Sequence, residues 1–476
     1  MQKELEIKEN NSSSSVSERE KIFLNKYPEY SDTAILDQLR AVDYARLDEQ
    51  KHVYLDYTGG NLYAESQIAK HHKLLTADIL GNPHSGNPSS RLSSQLVSEA
   101  RSKVLEFFNA GDNYFCVFTQ NASGALKIVG ECYPFNQDGF LLLSLDNHNS
   151  VNGIREFASN KGCAYEYSPL HKENLYLDEE KLLKNLDSHP GKTNKLFAYP
   201  AQSNVSGIKH PLKYVKIAKE KGWDVLLDTA AFVPSDKLDL QEVQPDFASI
   251  SFYKIFGYPT GIGCLLLHKR MFNKLVKPWY AGGTISLSAA TYRGHYLMPN
   301  HERFEDGTVN YLSIPAITFG LEHILNIGIQ VITKRVKCLA GWLLEELLAV
   351  KHDNGKPVLK IFGAHDMTRR GGTIVMNFYN KEGEVYSHNF VEQDANRHNI
   401  SLRSGCFCNP GLDEINNEIT YQDLERYFTT HEAGNFYDMI DFIGILRGAI
   451  RISIGLATNF ADIETFLKFV NEYKNR

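Results

Sequence analysis

The sequence has no excess of positive charge. Its 476 residues carry 51 Lys plus Arg against 57 Asp plus Glu, a formal net charge of −6. That excludes the basic footprint of a protein whose main partner is nucleic acid. Nor does any apolar run approach the ~20 residues needed to span a bilayer, so no membrane partner is expected. The opening stretch, MQKELEIKENNSSSSVSEREK, is charged and serine-rich without an apolar core. It fits neither a signal nor a transit peptide, and residues 1–20 read as a flexible tail. Cysteines are few and odd in number: seven, at 116, 132, 163, 264, 338, 406 and 408. Without a secretory leader this argues against a disulfide framework and for a reducing, cytoplasmic compartment. Only Cys406 and Cys408 cluster, and no second ligand pair stands at metal spacing from them, so no metal is expected. The nucleotide-binding fingerprints are missing too. The turn NASG (121–124) lacks the lysine of a P-loop and is no dinucleotide motif.

What is present is an ordinary globular composition, 42% hydrophobic and 23% charged, in a chain long enough for two or three lobes. From about Asp112 to Cys264, apolar runs of strand length alternate with helix-like segments. The runs are YFCVFT (114–119), FLLLSL (140–145), KLFAYP (195–200), WDVLLD (223–228) and FASISF (247–252). Continuous apolar strands separated by amphipathic helices predict an α/β unit with a mainly parallel sheet. GIGCLLLH (261–268) follows a Gly/Pro turn too closely for a helical crossover and predicts an antiparallel strand of the same sheet. After about Thr308 a long helical stretch, SIPAITFGLEHILNIGIQVITKRVKCLAGWLLEELLAV, leads into short strands such as TIVMNFY (373–379). GAIRISIGLATNFADIETFLKFVNEYK then reads as strand, turn and closing helix. The expected division is a large lobe over 79–308 and a smaller α+β lobe from 21–78 plus 309–476.

In open α/β sheets, ligands collect where strands end at their C-termini. Ser123 and its neighbouring N–H groups lie between the 114–119 strand and a following helix, an anion cradle or a plain turn. His148 follows one strand and Asn204 another. Asp228 closes a very apolar strand, where a carboxylate needs a partner or serves as an N-cap. Lys254, in SISFYKIFGYPTG, sits between an aromatic run and a Gly/Pro turn. A desolvated lysine there can form a Schiff base. Lysine, aspartate, phosphate cradle and an imidazole to stack on a ring together fit pyridoxal 5′-phosphate (PLP).

The segments VYLDYTGGNLY, GNPHSGNPSS, SFYKIFGYPTGIG, RFEDGTVNYLSI, LRSGCFCNPG and GAIRISIGLATNFADIETFLKFV carry a resemblance. The chain resembles fold-type I PLP enzymes of the class V aminotransferase and cysteine desulfurase group. It is most similar to the N-terminal desulfurase part of molybdenum cofactor sulfurases, over about Phe23 to Phe469. The resemblance implies a homodimeric PLP enzyme with a large, mainly parallel sheet domain and a smaller α+β domain. Lys254 matches the lysine bonded to PLP, Asp228 the partner of the pyridine nitrogen, His148 the ring-stacking residue, and Asn204 a neighbour of the phenolic oxygen and substrate. Asn121, Ala122, Ser123 and Ser251 match phosphate contacts, and Thr308 one donated by the other subunit. Arg451 matches the arginine that holds the substrate carboxylate, a task suited to a planar fork.

The implied reaction moves sulfur from L-cysteine to a protein thiol and leaves alanine. Related desulfurases place the reactive cysteine five residues after a loop arginine, as in RTGHHC. From Arg403 that count reaches Cys408; Cys406 is then a resolving thiol or a packed neighbour. Arg403 is a candidate to lower the thiol's pKa. The flanking Gly405 and Asn409-Pro410-Gly411 suit a loop that swings. Two positions depart from the pattern: Ala231 replaces a glutamine common three residues after the Asp, and Tyr57 a histidine. Molybdenum cofactor sulfurases carry a further C-terminal domain, whereas this chain ends at Arg476, so the sulfur acceptor stays open. Other class V reactions (selenocysteine lyase, kynureninase, epimerase, aminotransferase) share the scaffold, and a non-catalytic sulfur carrier is a further alternative.

Overall fold

A computed structural model describes residues 17–476. Its centre is a seven-stranded sheet in the order Tyr114–Thr119, Gly263–His268, Phe247–Ser251, Asp224–Asp228, Lys195–Pro200, Phe140–Ser144, Ala164–Ser168. All neighbours pair in parallel except Gly263–His268, which runs antiparallel to both of its partners. The five apolar runs are strands because they are buried on both faces. Alternate side chains divide between two cores: Phe197, Tyr199, Val225 and Leu227 enter one, and Leu196, Ala198 and Leu226 the other. The helix Ala122–Cys132 covers the second core, and helices Pro88–Phe107 and Lys213–Glu220 the first. The edge strand Ala164–Ser168 was not among the predicted strands. Its AYEYS sequence is largely exposed and carries no apolar signal.

A second sheet is fully antiparallel, in the order Leu359–Ile361, Thr373–Phe378, Ala449–Ser453, Arg403–Gly405. It falls within 309–476, and the large sheet within 79–308. The short strand Val53–Tyr54 pairs in parallel with Ile400–Ser401, joining the N-terminal segment to this lobe. The long helical stretch is two helices, Pro315–Ile327 and Ile329–Ala349, bent by 68° at Gly328, whose φ of 86° breaks the helix there. No single helix among the described residues is long and apolar enough to cross a membrane.

Most of the expected tail, residues 1–16, lies outside the described residues. Its last part is corrected: a helix runs over Glu18–Lys26, started by Ser17, whose side chain accepts the Glu20 N–H at 3.1 Å. Phe23 of this helix is fully buried, against Tyr30, Trp342 and Phe460.

Candidate active site

The C-terminal ends of the parallel strands surround a cavity of about 270 Å³, lined by Asn121, Ala122, Ser123, His148, Asn204, Asp228, Ser251 and Lys254 among others. Eight of the expected site residues, from five separate stretches of chain, therefore meet in one place. Lys254 lies on the single helical turn Phe252–Phe256, directly after its strand. Phe252, Ile255 and Phe256 of that turn are buried in the core, which leaves Lys254 to face the cavity. Burial holds its ammonium below the usual lysine range. The carboxylate of Asp228 pulls the other way, and Arg451 and Arg403 add to the lowering.

Asp228 ends its strand with both protein hydrogen bonds on one oxygen. Oδ1 accepts from Ser249 Oγ at 2.8 Å and from the Ala230 N–H at 3.1 Å, and Oδ2 accepts from no described residue. His148 caps the short helix Asn149–Asn152 by accepting the Ser150 N–H on Nδ1 at 3.1 Å. That assigns any proton of the neutral ring to Nε2. Burial lowers its pKa, with Lys254 and Arg451 acting in the same sense and Asp228 against.

The cradle is the N-terminus of Ala122–Cys132. Asn121 caps it through the Gly124 N–H at 3.0 Å, and Ser251 Oγ accepts the Ala122 N–H at 3.1 Å, which leaves the Ser251 hydroxyl hydrogen free. Ser123 Oγ is 2.6 Å from Ser150 Oγ. Thr308 is not in this cavity. It lines a second one of about 340 Å³ that shares Gly261 with the first.

The cysteine loop comes from the other lobe and is fastened to the large one. Asn204 Nδ2 donates to the Phe407 carbonyl at 2.8 Å, and the Asn149 N–H to the Cys408 carbonyl at 2.7 Å. Asn409, fully buried, donates to the Asp146 carbonyl at 2.7 Å and to Asn204 Oδ1 at 3.0 Å. Phe407 and Cys408 both hold left-handed backbone, φ 56° and 54°, which non-glycine residues adopt only under constraint. The loop expected to swing is thus held at four points. Cys408 is exposed, on a loop bonded to the segments that carry His148 and Asn204. Cys406 is partly buried, its thiol pushed up by that burial, with Asp413 and Arg447 as charged neighbours.

Arg451 is buried, donating to the Asn204 carbonyl at 2.9 Å and to Asp56 at 2.8 Å, with the Phe407 ring centre 5.0 Å from its guanidinium carbon. Arg403 also grips Asp56, at 2.6 Å. Sequence reasoning assigned nothing to Asp56, nor to Asn409 as a tether. The only signal was their presence in the quoted segments.

Fold and site together define an α/β protein of fold type I. The chain belongs to the aminotransferase class-V family, whose profile matches residues 53–466. Molybdenum cofactor sulfurase of Oryza sativa subsp. japonica is 36% identical over 475 residues, covering 91% of this chain and 57% of that protein. The chain spans just over half the length of the curated relatives it matches. Among solved structures, the cysteine desulfurase of Thermococcus onnurineus NA1 superposes with a TM-score of 0.75 at 22% identity, over 92% of this chain and 97% of that one. A C-DES mutant with glycine covalently linked to its PLP cofactor gives 0.68 at 17%, over 91% and 99%.

Proposed function

We propose that the chain is a PLP-dependent cysteine desulfurase of the molybdenum cofactor sulfurase kind, moving sulfur from L-cysteine to Cys408 and releasing alanine. The observation that carries this is the meeting of Lys254, Asp228, His148 and the Asn121 helix terminus around one cavity, with the Cys408 loop hydrogen-bonded to two of its lining segments.

The residues fit PLP. Asp228 keeps Oδ2 free to face a protonated pyridine nitrogen, and the helix N-terminus with the Ser123 and Ser251 hydroxyls suits a phosphate. His148 would lie against the ring, and Lys254 would hold the aldehyde carbon. The chemistry that PLP supplies when bound is withdrawal of electrons from the α-carbon of an amino acid. Lys254, its charged form disfavoured by burial, takes and returns the proton on that carbon. The Cys408 thiolate attacks the substrate sulfur. A sulfur–sulfur bond forms, the carbon–sulfur bond breaks, and protons restore the carbon. Cysteine and thiol thereby become alanine and persulfide. Arg451 and Arg403 supply planar donors for the carboxylate.

The proposal includes a homodimer, with Thr308 serving the partner's phosphate site. In support, Trp279 lines the cavity that holds Thr308 and is 49% exposed, and Leu287, Tyr292 and Tyr296, on and between the paired strands Ile285–Ser288 and His295–Leu297, also leave apolar surface uncovered. It also includes a reducing compartment, the cytoplasm, supported by seven free cysteines, and a sulfur acceptor recognised outside this chain. The test of the cofactor is Lys254→Ala: purified wild-type protein should show visible PLP absorbance that shifts with L-cysteine, and the variant should lose it. An identical spectrum in both would overturn the assignment.

A further inference from the structure

Arg403 and Arg451 stand directly opposite each other on adjacent antiparallel strands. Like charges in that register repel, so a third group has to hold them. Asp56 does so. Its Oδ1 accepts from Arg451 Nη2 at 2.8 Å and Arg403 Nε at 3.2 Å, and its Oδ2 from Arg403 Nη2 at 2.6 Å and Nε at 3.0 Å. Two cations share one anion, so one positive charge is left over beside Lys254 and His148. Donors are left over as well. Arg451 Nε is buried without an acceptor in a side chain only 3% exposed, and a buried unpaired donor is costly unless something comes to meet it. Arg403 is half exposed, and its Nη1 donates to no described residue.

Asp56 is itself held in place. Its carbonyl accepts the Gly59 and Gly60 N–H groups at 2.9 and 3.1 Å. The next residue, Asn61, donates its N–H to the Tyr253 carbonyl at 3.1 Å and its Nδ2 to the Ile255 carbonyl at 2.7 Å. Those carbonyls flank Lys254 in the chain. One short segment therefore grips both the turn bearing the lysine and the arginine pair. Gly59 leaves no slack: a Cβ there would lie 2.4 Å from Asp56 Oδ2 and 2.6 Å from Arg403 Nη2.

We propose that Asp56 is a positioning residue that gathers Arg403 and Arg451 into a site with one uncompensated positive charge, which takes the α-carboxylate of the substrate. This rests on the reading above that the substrate is an amino acid. Asp56 never touches the reacting atoms; it fixes where the guanidinium forks point.

The test is spectral titration of PLP-loaded protein with L-alanine and with ethylamine, the same amine without its carboxylate. Wild type should prefer alanine. In Asp56→Asn that preference should fall by about tenfold, because a buried charge pair has lost its alignment. A merely structural role would weaken both ligands alike. Asp56→Glu should restore part of the preference. If the Asn variant does not fold, Gly59→Ala displaces the same pair without removing charge and should lower the preference too. A preference unchanged within about twofold in a folded variant overturns the proposal. Failure of the desulfurase reading shows separately, as no alanine formed from L-cysteine by wild type.

Discussion

Asn409 donates its side-chain amide to the backbone carbonyl of Asp146 at 2.7 Å, across 263 residues of sequence. Through this bond the strand end that carries His148 also holds the loop that carries Cys408. The same amide reaches Asn204, and the Asn409 Oδ1 caps the helix Pro410–Asn416 through the Leu412 N–H. Position of the thiol and integrity of the site are thus one structural matter.

Asn409→Ala should lower stability by about 1–3 kcal/mol, from lost buried hydrogen bonds and a lost cap. Thermal melting measures this. Persulfide formation should fall further than the melting shift explains, since two of the four ties that hold the loop, to the Asp146 carbonyl and to Asn204 Oδ1, are lost. A normal persulfide yield would show that the tether is dispensable.

The two thiols should separate cleanly. Cys408→Ser should abolish cyanide-labile sulfur while keeping PLP bound, because Cys408 is the exposed thiol and its carbonyl is tied to Asn149, next to His148. Cys406→Ser should be mild, since its thiol is raised by burial and has Asp413 and Arg447 for neighbours. The opposite ranking would reassign the nucleophile.

Gly257→Ala should strip the cofactor. Gly257 closes the Lys254 turn with φ 79°, and a Cβ would lie 2.3 Å from the Tyr63 nitrogen and 2.4 Å from the Leu62 carbonyl carbon. The left-handed backbone alone costs about 1–2 kcal/mol, and the clash pushes the Asn61 segment off the lysine turn. PLP content per subunit reads the outcome; full occupancy would contradict it.

Acid should begin to destabilise the fold through two buried histidines. Burial, aided by Arg270, holds His268 down to about 4 from an ordinary 6.5. Burial, aided by Arg101, does the same to His301. Between those values only the unfolded chain binds the proton, so unfolding gains as pH falls. The stability these histidines carry is whole above about 6.5 and declines toward about 4. Melting temperature should fall across that window, and His301→Gln should flatten the slope. A flat profile in wild type would contradict the shift.

Much of this was legible in the sequence, for physical reasons. A strand buried on both faces cannot hide its apolar run, so Leu196 to Tyr199 and Val225 to Leu227 announced the sheet. Strand ends in such a sheet are few, so a lysine, an aspartate and a histidine placed there were readable as one site. The exposed edge strand Ala164–Ser168 had no such signal. Asp56, Asn61 and Asn409 were unreadable for another reason. Each acts on a partner some 190 to 400 residues away, and hydrogen bonds of that kind leave no periodicity behind. Ser17 could cap a helix inside a segment read as tail because Phe23, six residues on, finds a buried aromatic cluster supplied by the far end of the chain.

The central claim is sulfur transfer from cysteine to Cys408. Its most direct test is incubation of PLP-loaded wild-type protein with L-cysteine, measuring alanine released and cyanide-labile sulfur retained. The account predicts both, in equal amounts in the first turnover, and neither persulfide nor burst of alanine with Cys408→Ser. Alanine and protein-bound sulfur both absent from the PLP-loaded wild type would contradict it.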